Sequence, residues 1–216
     1  MVVQQDRWKQ VKGIPLAQGA HSPDFTFCVM EMVAFVAGES WTDTPECASP
    51  VLTKYAQVIN DTAPEDVRQR LKPFVLSLVG SRDENKEMAR MFLLADRAVR
   101  VFAPLALEVA GLGSEADKLR SLPTIEDEHT AKSAADATRS AASAASAASA
   151  AYSAADSAAD SADSAASAAH RAASAADSAD SAAHSIVDST ADSSADSAID
   201  KIWDEAFKAL EDALNL

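Results

Sequence analysis

The first half of the chain places its apolar side chains at the period of an α-helix. In PDFTFCVMEMVAFVAG, which starts at Pro23, apolar residues recur on one helical face, and Gly38 is a natural stop. Ser49 followed by Pro50 predicts the cap and the first turn of a second helix, which runs to about Asn60. Strand-like alternation is nearly absent, so the pattern predicts an all-α fold.

Three more helices are predicted before residue 123. Thr62 with Glu65 has the spacing of a capping box, and Pro73 should kink or break the helix that follows. Ser81 is predicted to cap a longer helix, which Pro104 should kink. A short helix over SEADKLRSL completes this region.

From about residue 131 the period stays helical while the side chains become small. Ser, or Asp or Arg in its place, recurs every three or four residues between Ser133 and Ser197, close to the roughly 3.6 residues of a helical turn. Asp usually stands just before each Ser, and Ala usually stands just after it. The helix therefore has an acidic flank, a Ser stripe and a row of Ala residues. Towards the end of the chain the residues on the side of this Ala row become large and apolar. The interaction seam predicted from this face comprises Ala145, Ala148, Ala183, Val187, Ala191, Ala195, Ile199, Trp203, Phe207, Leu210 and Leu214.

Composition divides the chain just before the repeat. All six Gly, all eight Pro and both Cys lie in residues 1–123. We therefore predict a small helical N-terminal domain over residues 1–123, in which residues 1–20 form an irregular arm. Residues 124–216 are predicted to form one long Ala/Ser/Asp-rich helical repeat tail, which is apolar over residues 199–216.

The net charge of the chain is −14, and acidic side chains outnumber basic ones along the tail. An acidic surface repels nucleic-acid phosphates and anionic membranes, so neither direct nucleic-acid binding nor membrane binding is expected. The first residues lack the pattern of a secretory signal, and no stretch is apolar enough to span a bilayer. These features predict a cytoplasmic protein whose cysteines are reduced.

The densest group of potential metal ligands lies between residues 21 and 47. Cys28 and Glu31 are three residues apart on one helical face, and His21 and Cys47 are near them in sequence. Because no C-x-x-C spacing is present, three interpretations stay open: buried structural thiols, a disulfide or redox pair, or a metal site. A Cys28–His21 catalytic dyad is not expected, since Met and Phe surround Cys28, and no cofactor is predicted.

Two other sets of residues have a helical spacing. Arg90, Arg97 and Arg100 share one side of their predicted helix, where they either bind carboxylates or phosphates or pair with acidic neighbours. His170 and His184 are fourteen residues apart, and they either form a layer between chains or lie on a wet face.

The order of motifs resembles a known group of proteins. The segments HSPDFTFCVMEMVAFVAGESWTDTPECASPV, INDTAPEDVRQRLKPFVLSLVGSR, ADRAVRVFAPLALEVAGL and LRSLPTI, over roughly residues 21–125, are similar to a family of uncharacterised phage and actinobacterial proteins. The residues that carry this resemblance are Cys28, Glu31, Gly38, Glu39, Trp41, Asp43, Pro45, Cys47 and Pro50. The resemblance implies a helical N-terminal domain followed by an Ala-rich repeat, and it implies no activity.

Three classes of function fit these patterns. The favoured one is a non-enzymatic structural or interaction protein, a homo-oligomer in which the Ala-rich helix self-associates or packs closely against the N-terminal domain. The first alternative is an antifreeze-like helix that binds ice or interfacial water, although Thr is sparse in the tail. The second is an acidic decoy of a host nucleic-acid-binding protein, which the row of Asp residues from Asp188 to Asp204 suggests.

Overall fold

The computed structural model of the chain describes residues 3–20, 25–109, 111–144 and 193–216. In these ranges every regular element is helical. Extended backbone pairs there in an isolated parallel β-bridge between Leu16 and Phe27. The prediction of an all-α fold is confirmed. The centre of the repeat, residues 145–192, lies outside the described residues, so its helical character stays a prediction.

The chain divides into two compact units. One consists of Met1–Glu87 together with Leu210–Leu216, and the other of Met88–Ala209. The change of composition at residue 123 therefore does not coincide with a boundary in packing. The change of composition reflects the size of the side chains, whereas the compact units are defined by which residues contact each other. Helices on both sides of residue 123 belong to the second unit.

The first unit begins with a helix that the sequence pattern did not reveal. Helix α1 spans Gln5–Val11, and its last residue is fully buried. The Arg7 guanidinium donates a hydrogen bond to the carbonyl of Phe35 at 3.0 Å and lies over the ring of the same residue. The prediction of an irregular arm is wrong for this stretch. The helix has only seven residues, and its large apolar side chains are Trp8 and Val11, so no helical period is visible in the sequence. Contacts with distant residues stabilise so short a helix.

Helices α2 (Val29–Ala37) and α3 (Pro50–Thr62) supply much of the buried core of the first unit. Helix α2 ends as predicted at Gly38, whose φ of +84° lies in the left-handed region that favours glycine. Helix α3 also begins as predicted, because the Ser49 hydroxyl accepts a hydrogen bond from the Leu52 backbone N–H at 3.2 Å.

The segment after α3 is broken into short turns. It comprises helix α4 (Glu65–Arg68), a 3-10 helix (Gln69–Phe74) and helix α5 (Val75–Leu78). Pro73 interrupts the α-helical hydrogen bonding, as predicted. The prediction of Thr62 as a helix cap is wrong, because its hydroxyl donates to a carbonyl within α3 at 2.8 Å and the residue ends that helix.

A π-helical turn shapes the middle of the next helical segment. In order, the segment contains α6 (Glu87–Arg97), the π-helical turn (Ala98–Phe102), α7 (Ala103–Val109) and α8 (Gly113–Arg120). Pro104 lies in the first turn of α7, two residues after the π-helical turn, and it favours such a turn because proline has no N–H and its ring excludes the carbonyl four residues earlier. The kink predicted there stays a prediction. The predicted start at Ser81 is wrong, since α6 begins at Glu87 and the Ser81 hydroxyl accepts the Ser49 backbone N–H instead.

The described ends of the tail are helical. Helix α9 spans Glu128–Ala144 and helix α10 spans Ser193–Leu214. The carboxylate of Asp127 accepts a hydrogen bond from the Thr130 backbone N–H at 2.7 Å, which closes the start of α9 and lowers the pKa of Asp127. None of the helices in the described part of the chain combines the length and the apolar character needed to cross a bilayer.

Candidate functional site

Cys28 and Glu31 contact each other, and their contact closes the start of α2. The Cys28 sulfur accepts a hydrogen bond from the Glu31 backbone N–H at 3.4 Å, while Glu31 Oε2 accepts one from the Cys28 backbone N–H at 2.8 Å. Glu31 Oε1 accepts a third from the Trp41 indole N–H at 3.2 Å. The Glu31 side chain is 2% exposed, so these donors and the N-terminus of α2 offset the burial of its charge. This geometry is that of a capping box.

Cys47 lies in a separate turn that Glu39 organises. The two carboxylate oxygens of Glu39 accept hydrogen bonds from the backbone N–H groups of Glu46 and Cys47, each at 2.8 Å. Both cysteines are free thiols, and burial raises the pKa of Cys28 to about 12 and that of Cys47 to about 11. Neither thiol is ionised near neutral pH, whereas a nucleophile or a metal ligand acts as the thiolate.

The four candidate metal ligands are therefore placed in different ways. The structure brings Cys28 and Glu31 together in the cap, and it places Cys47 in the turn held by Glu39. His21 lies outside the described residues. Within the described ranges, no group of three or more His, Cys, Asp or Glu side chains is positioned to hold a metal ion.

The three arginines of the predicted row differ in their exposure: Arg90 is buried, whereas Arg97 and Arg100 are half-buried. Arg90 is 2% exposed. The Arg100 guanidinium donates to Asp96 at 3.0 Å and to the Thr124 hydroxyl at 2.9 Å, and Asp96 also accepts the backbone N–H of Ile125. Arg100 thus pairs with an acidic neighbour and ties the segment after α8 to α6. The two histidines of the repeat, His170 and His184, lie outside the described residues.

Helix α9 buries a face of small side chains. The buried positions recur every three or four residues, and they are Ala131, Ala134, Ala135, Thr138 and Ala141. We call these five residues the Ala face. Thr138 is fully buried, and its hydroxyl donates to the carbonyl of Ala134 at 2.8 Å, so the helix itself satisfies this polar group. Lys132, Ser133 and Asp136, on the other side of α9, are exposed.

The predicted seam is described only at its apolar end, on α10. Ala145, Ala148, Ala183, Val187 and Ala191 lie outside the described residues, and the side chain of Ala195 is not described either. The large apolar members are buried within the single chain: Ile199, Trp203, Phe207 and Leu210, whereas Leu214 is half-buried. A second row, formed by Ile202, Ala206, Ala209 and Ala213, is also buried and was missed. The buried face of α10 is therefore wider than the predicted seam, as suits a helix enclosed by its own chain.

A buried polar junction at the end of α3 was not predicted from the sequence. Asn60 is fully buried, its amide N–H donates to the Ala17 carbonyl at 2.9 Å, and its amide oxygen accepts the Val29 backbone N–H at 3.0 Å. One side chain thus joins α3 to the segment before α2 and to the start of α2. The available signal was an Asn four residues after Ala56 and one residue after Ile59, a position that places it beside apolar residues of α3.

Comparisons of the chain with protein-family models, with curated proteins and with solved structures found no match. The resemblance to phage and actinobacterial proteins stays a prediction. The function proposed below therefore rests on the contacts within the chain.

Proposed function

We propose that this chain is a non-enzymatic structural or interaction protein whose Ala-rich helix mediates close helix packing and self-association. The observation that carries the proposal is the buried Ala face of α9. Helix α8 contacts α9 within the same compact unit, and Ala116 and Leu119 of α8 are fully buried. Methyl side chains let two helices approach more closely than the usual 8 to 10 Å between axes, so a face of this kind is suited to a partner helix.

The sequence continues this face beyond the described end of α9. Ala145 and Ala148 follow Ala141 at spacings of four and seven residues, which keeps them in phase with the Ala face of a continuing helix. A second copy of the tail, with the same spacing of small residues, is a suitable partner for them. We therefore propose a homo-oligomer held together by the repeat.

The described side chains favour packing over catalysis, metal binding and ice binding. Cys28 and Glu31, the residues with the strongest catalytic or metal-binding potential, are engaged in the cap of α2. An ice-binding helix presents its small face and its hydroxyl groups to water, whereas α9 buries its Ala face and Thr138. The buried free thiols suit a reducing compartment, which supports our proposal of a cytoplasmic location.

The test of close packing compares two substitutions on α9. Ala135 is fully buried, and Ala137, two residues later, is half-buried outside the Ala face. Ala135→Leu should lower the unfolding free energy by about 1 to 3 kcal/mol, because the added carbons have no space at a close helix contact. Ala137→Leu is the matched control, and it should change the unfolding free energy by less than about 0.5 kcal/mol.

Both variants should be measured by thermal melting and by light scattering. A lower melting temperature for Ala135→Leu, with the control unchanged, supports the proposal. Equal melting temperatures and equal masses for the two variants would mean that the Ala face tolerates bulk, and close packing would then not be its role.

A further inference from the structure

A cavity of about 460 Å³ opens beside α4 in the first unit. Its walls are formed by residues 14–18, by Phe25 and Thr26, and by Glu65 and Arg68 of α4. A cavity of this volume can hold a small organic molecule. It uses no residue of the Ala face or of the seam, so a function for this cavity goes beyond the one proposed above.

Arg68 places a largely buried cation at the wall of this cavity. The residue is 9% exposed, and its Nε and Nη2 atoms donate to the carbonyls of Asn60 and Ala63, which carry the partial negative charge at the end of α3. No carboxylate among the described residues pairs with the guanidinium, which has five N–H donors in all. A buried guanidinium with unused donors at a cavity wall suits the carboxylate of a ligand.

Glu65 adds a separate anion to the same wall. It is exposed and lies three residues before Arg68, a spacing at which acidic and basic side chains often pair on a helix. These two residues do not pair, because the guanidinium is turned towards the carbonyls at the end of α3. The cavity therefore offers a positive and a negative group that do not neutralise each other.

Phe25 gives the cavity an apolar side. Its side chain is 56% exposed, and its ring packs edge-on against Phe27 and Phe35 with centroid distances of 6.1 and 6.2 Å. The backbone φ of Phe25 is +66°, a strained conformation for an aromatic residue, and strain of this kind is concentrated at functional sites. Ile14 and Pro15 line the cavity with it.

From these three features we infer that the cavity binds a small zwitterionic amino acid with an apolar side chain. Arg68 receives the carboxylate, and Glu65 receives the ammonium group. Phe25, with Ile14 and Pro15, contacts the apolar side chain. A single amino acid fits the volume of the cavity, and its carboxylate and ammonium groups carry the charges opposite to those of Arg68 and Glu65.

The test uses three probes that share one apolar group. Leucine carries both charges, 4-methylpentanoate carries only the carboxylate, and 3-methylbutylamine carries only the ammonium group. The full chain is titrated with each probe by calorimetry and by ligand-observed NMR. Leucine should bind about tenfold more tightly than either analogue, which corresponds to roughly 1.4 kcal/mol for the missing charge. No binding of leucine at millimolar concentration, or equal binding of all three probes, would overturn the inference.

Substitutions at exposed positions can change ligand binding without disturbing the fold. Glu65→Gln should weaken leucine binding to the level of 4-methylpentanoate and leave the affinity for 4-methylpentanoate unchanged. Asp66→Asn is the matched control, because Asp66 is exposed and does not line the cavity, and it should bind all three probes like the wild type. If Glu65→Gln binds leucine with wild-type affinity, Glu65 does not receive the ammonium group and the assignment of a zwitterion is wrong.

Discussion

A 2.8 Å hydrogen bond joins the backbone N–H of Cys28 to the carboxylate of Glu31, and the Cys28 sulfur accepts the backbone N–H of Glu31 in return. A cysteine thus closes the start of α2, at a position where Ser, Thr, Asp and Asn are preferred. Because Glu31 also accepts the indole N–H of Trp41, the pair links the start of α2 to the loop after it. The pair therefore has a structural role.

The cap predicts different effects for two substitutions of Cys28. Cys28→Ala should lower the unfolding free energy by about 1 kcal/mol, because the N–H of Glu31 loses its acceptor. Cys28→Ser keeps an acceptor there and should stay within about 0.5 kcal/mol of the wild type. Urea denaturation measures both values. Cys47→Ala is the control, since it removes a buried thiol without removing a helix cap, and equal losses for all three variants would contradict the cap.

The buried thiols predict a loss of stability in alkaline solution. Burial raises the pKa of Cys28 to about 12 and that of Cys47 to about 11, from an ordinary value of 9.0. Between about pH 9 and pH 11 the unfolded chain releases thiol protons that the folded chain retains, so the unfolding free energy falls as the pH rises. Below this window both states hold the protons and the thiols add no pH dependence.

A double variant isolates this effect from the titration of lysines and tyrosines. Unfolding of the wild type and of Cys28→Ser with Cys47→Ala should be followed across the same pH range. The difference in unfolding free energy between the two proteins should change above about pH 9 in favour of the variant. A difference that stays constant with pH would show that the thiols ionise in the folded state as readily as in the unfolded one.

The elements predicted correctly from the sequence depend on local chemistry. Gly38 ends α2 because glycine accepts the left-handed conformation, and Ser49 begins α3 because its hydroxyl reaches an N–H within the first turn. The wrong predictions concern segments whose structure is determined by contacts with distant residues. Helix α1 is held by residues such as Phe35, and Ser81 serves the backbone of Ser49 instead of a helix of its own.

At the candidate site, too, the sequence predicted which residues are neighbours but not what they do. A spacing of three residues predicted that Cys28 and Glu31 would lie close together, and they do. The same spacing suits both a metal pair and a capping box, so the sequence alone left their role open. The role became apparent from the backbone N–H groups that each side chain faces, and these depend on where α2 begins.

Asn60 should be the polar residue of the first unit that is most sensitive to truncation. Asn60→Ala leaves the buried N–H of Val29 without its acceptor and removes the donor to the half-buried Ala17 carbonyl, and it should lower the unfolding free energy by about 2 to 3 kcal/mol. Gln57→Ala is the control on the same helix. Its amide donates to a loop carbonyl from a half-buried position, and its loss should cost less than about 1 kcal/mol. Similar losses for the two variants would contradict a central role for Asn60.

The solution mass of the full chain, measured by light scattering together with small-angle X-ray scattering, tests self-association through the Ala-rich helix most directly. We predict a wild-type mass of at least twice the 22.6 kDa of a single chain. Ala145→Glu combined with Ala148→Glu should reduce it to the mass of one chain, because charged side chains cannot be enclosed at a close helix crossing. Asp160→Glu is the control and should keep the wild-type mass. A wild-type mass of one chain, or an unchanged multimer in the Ala145 and Ala148 variant, would contradict the proposal.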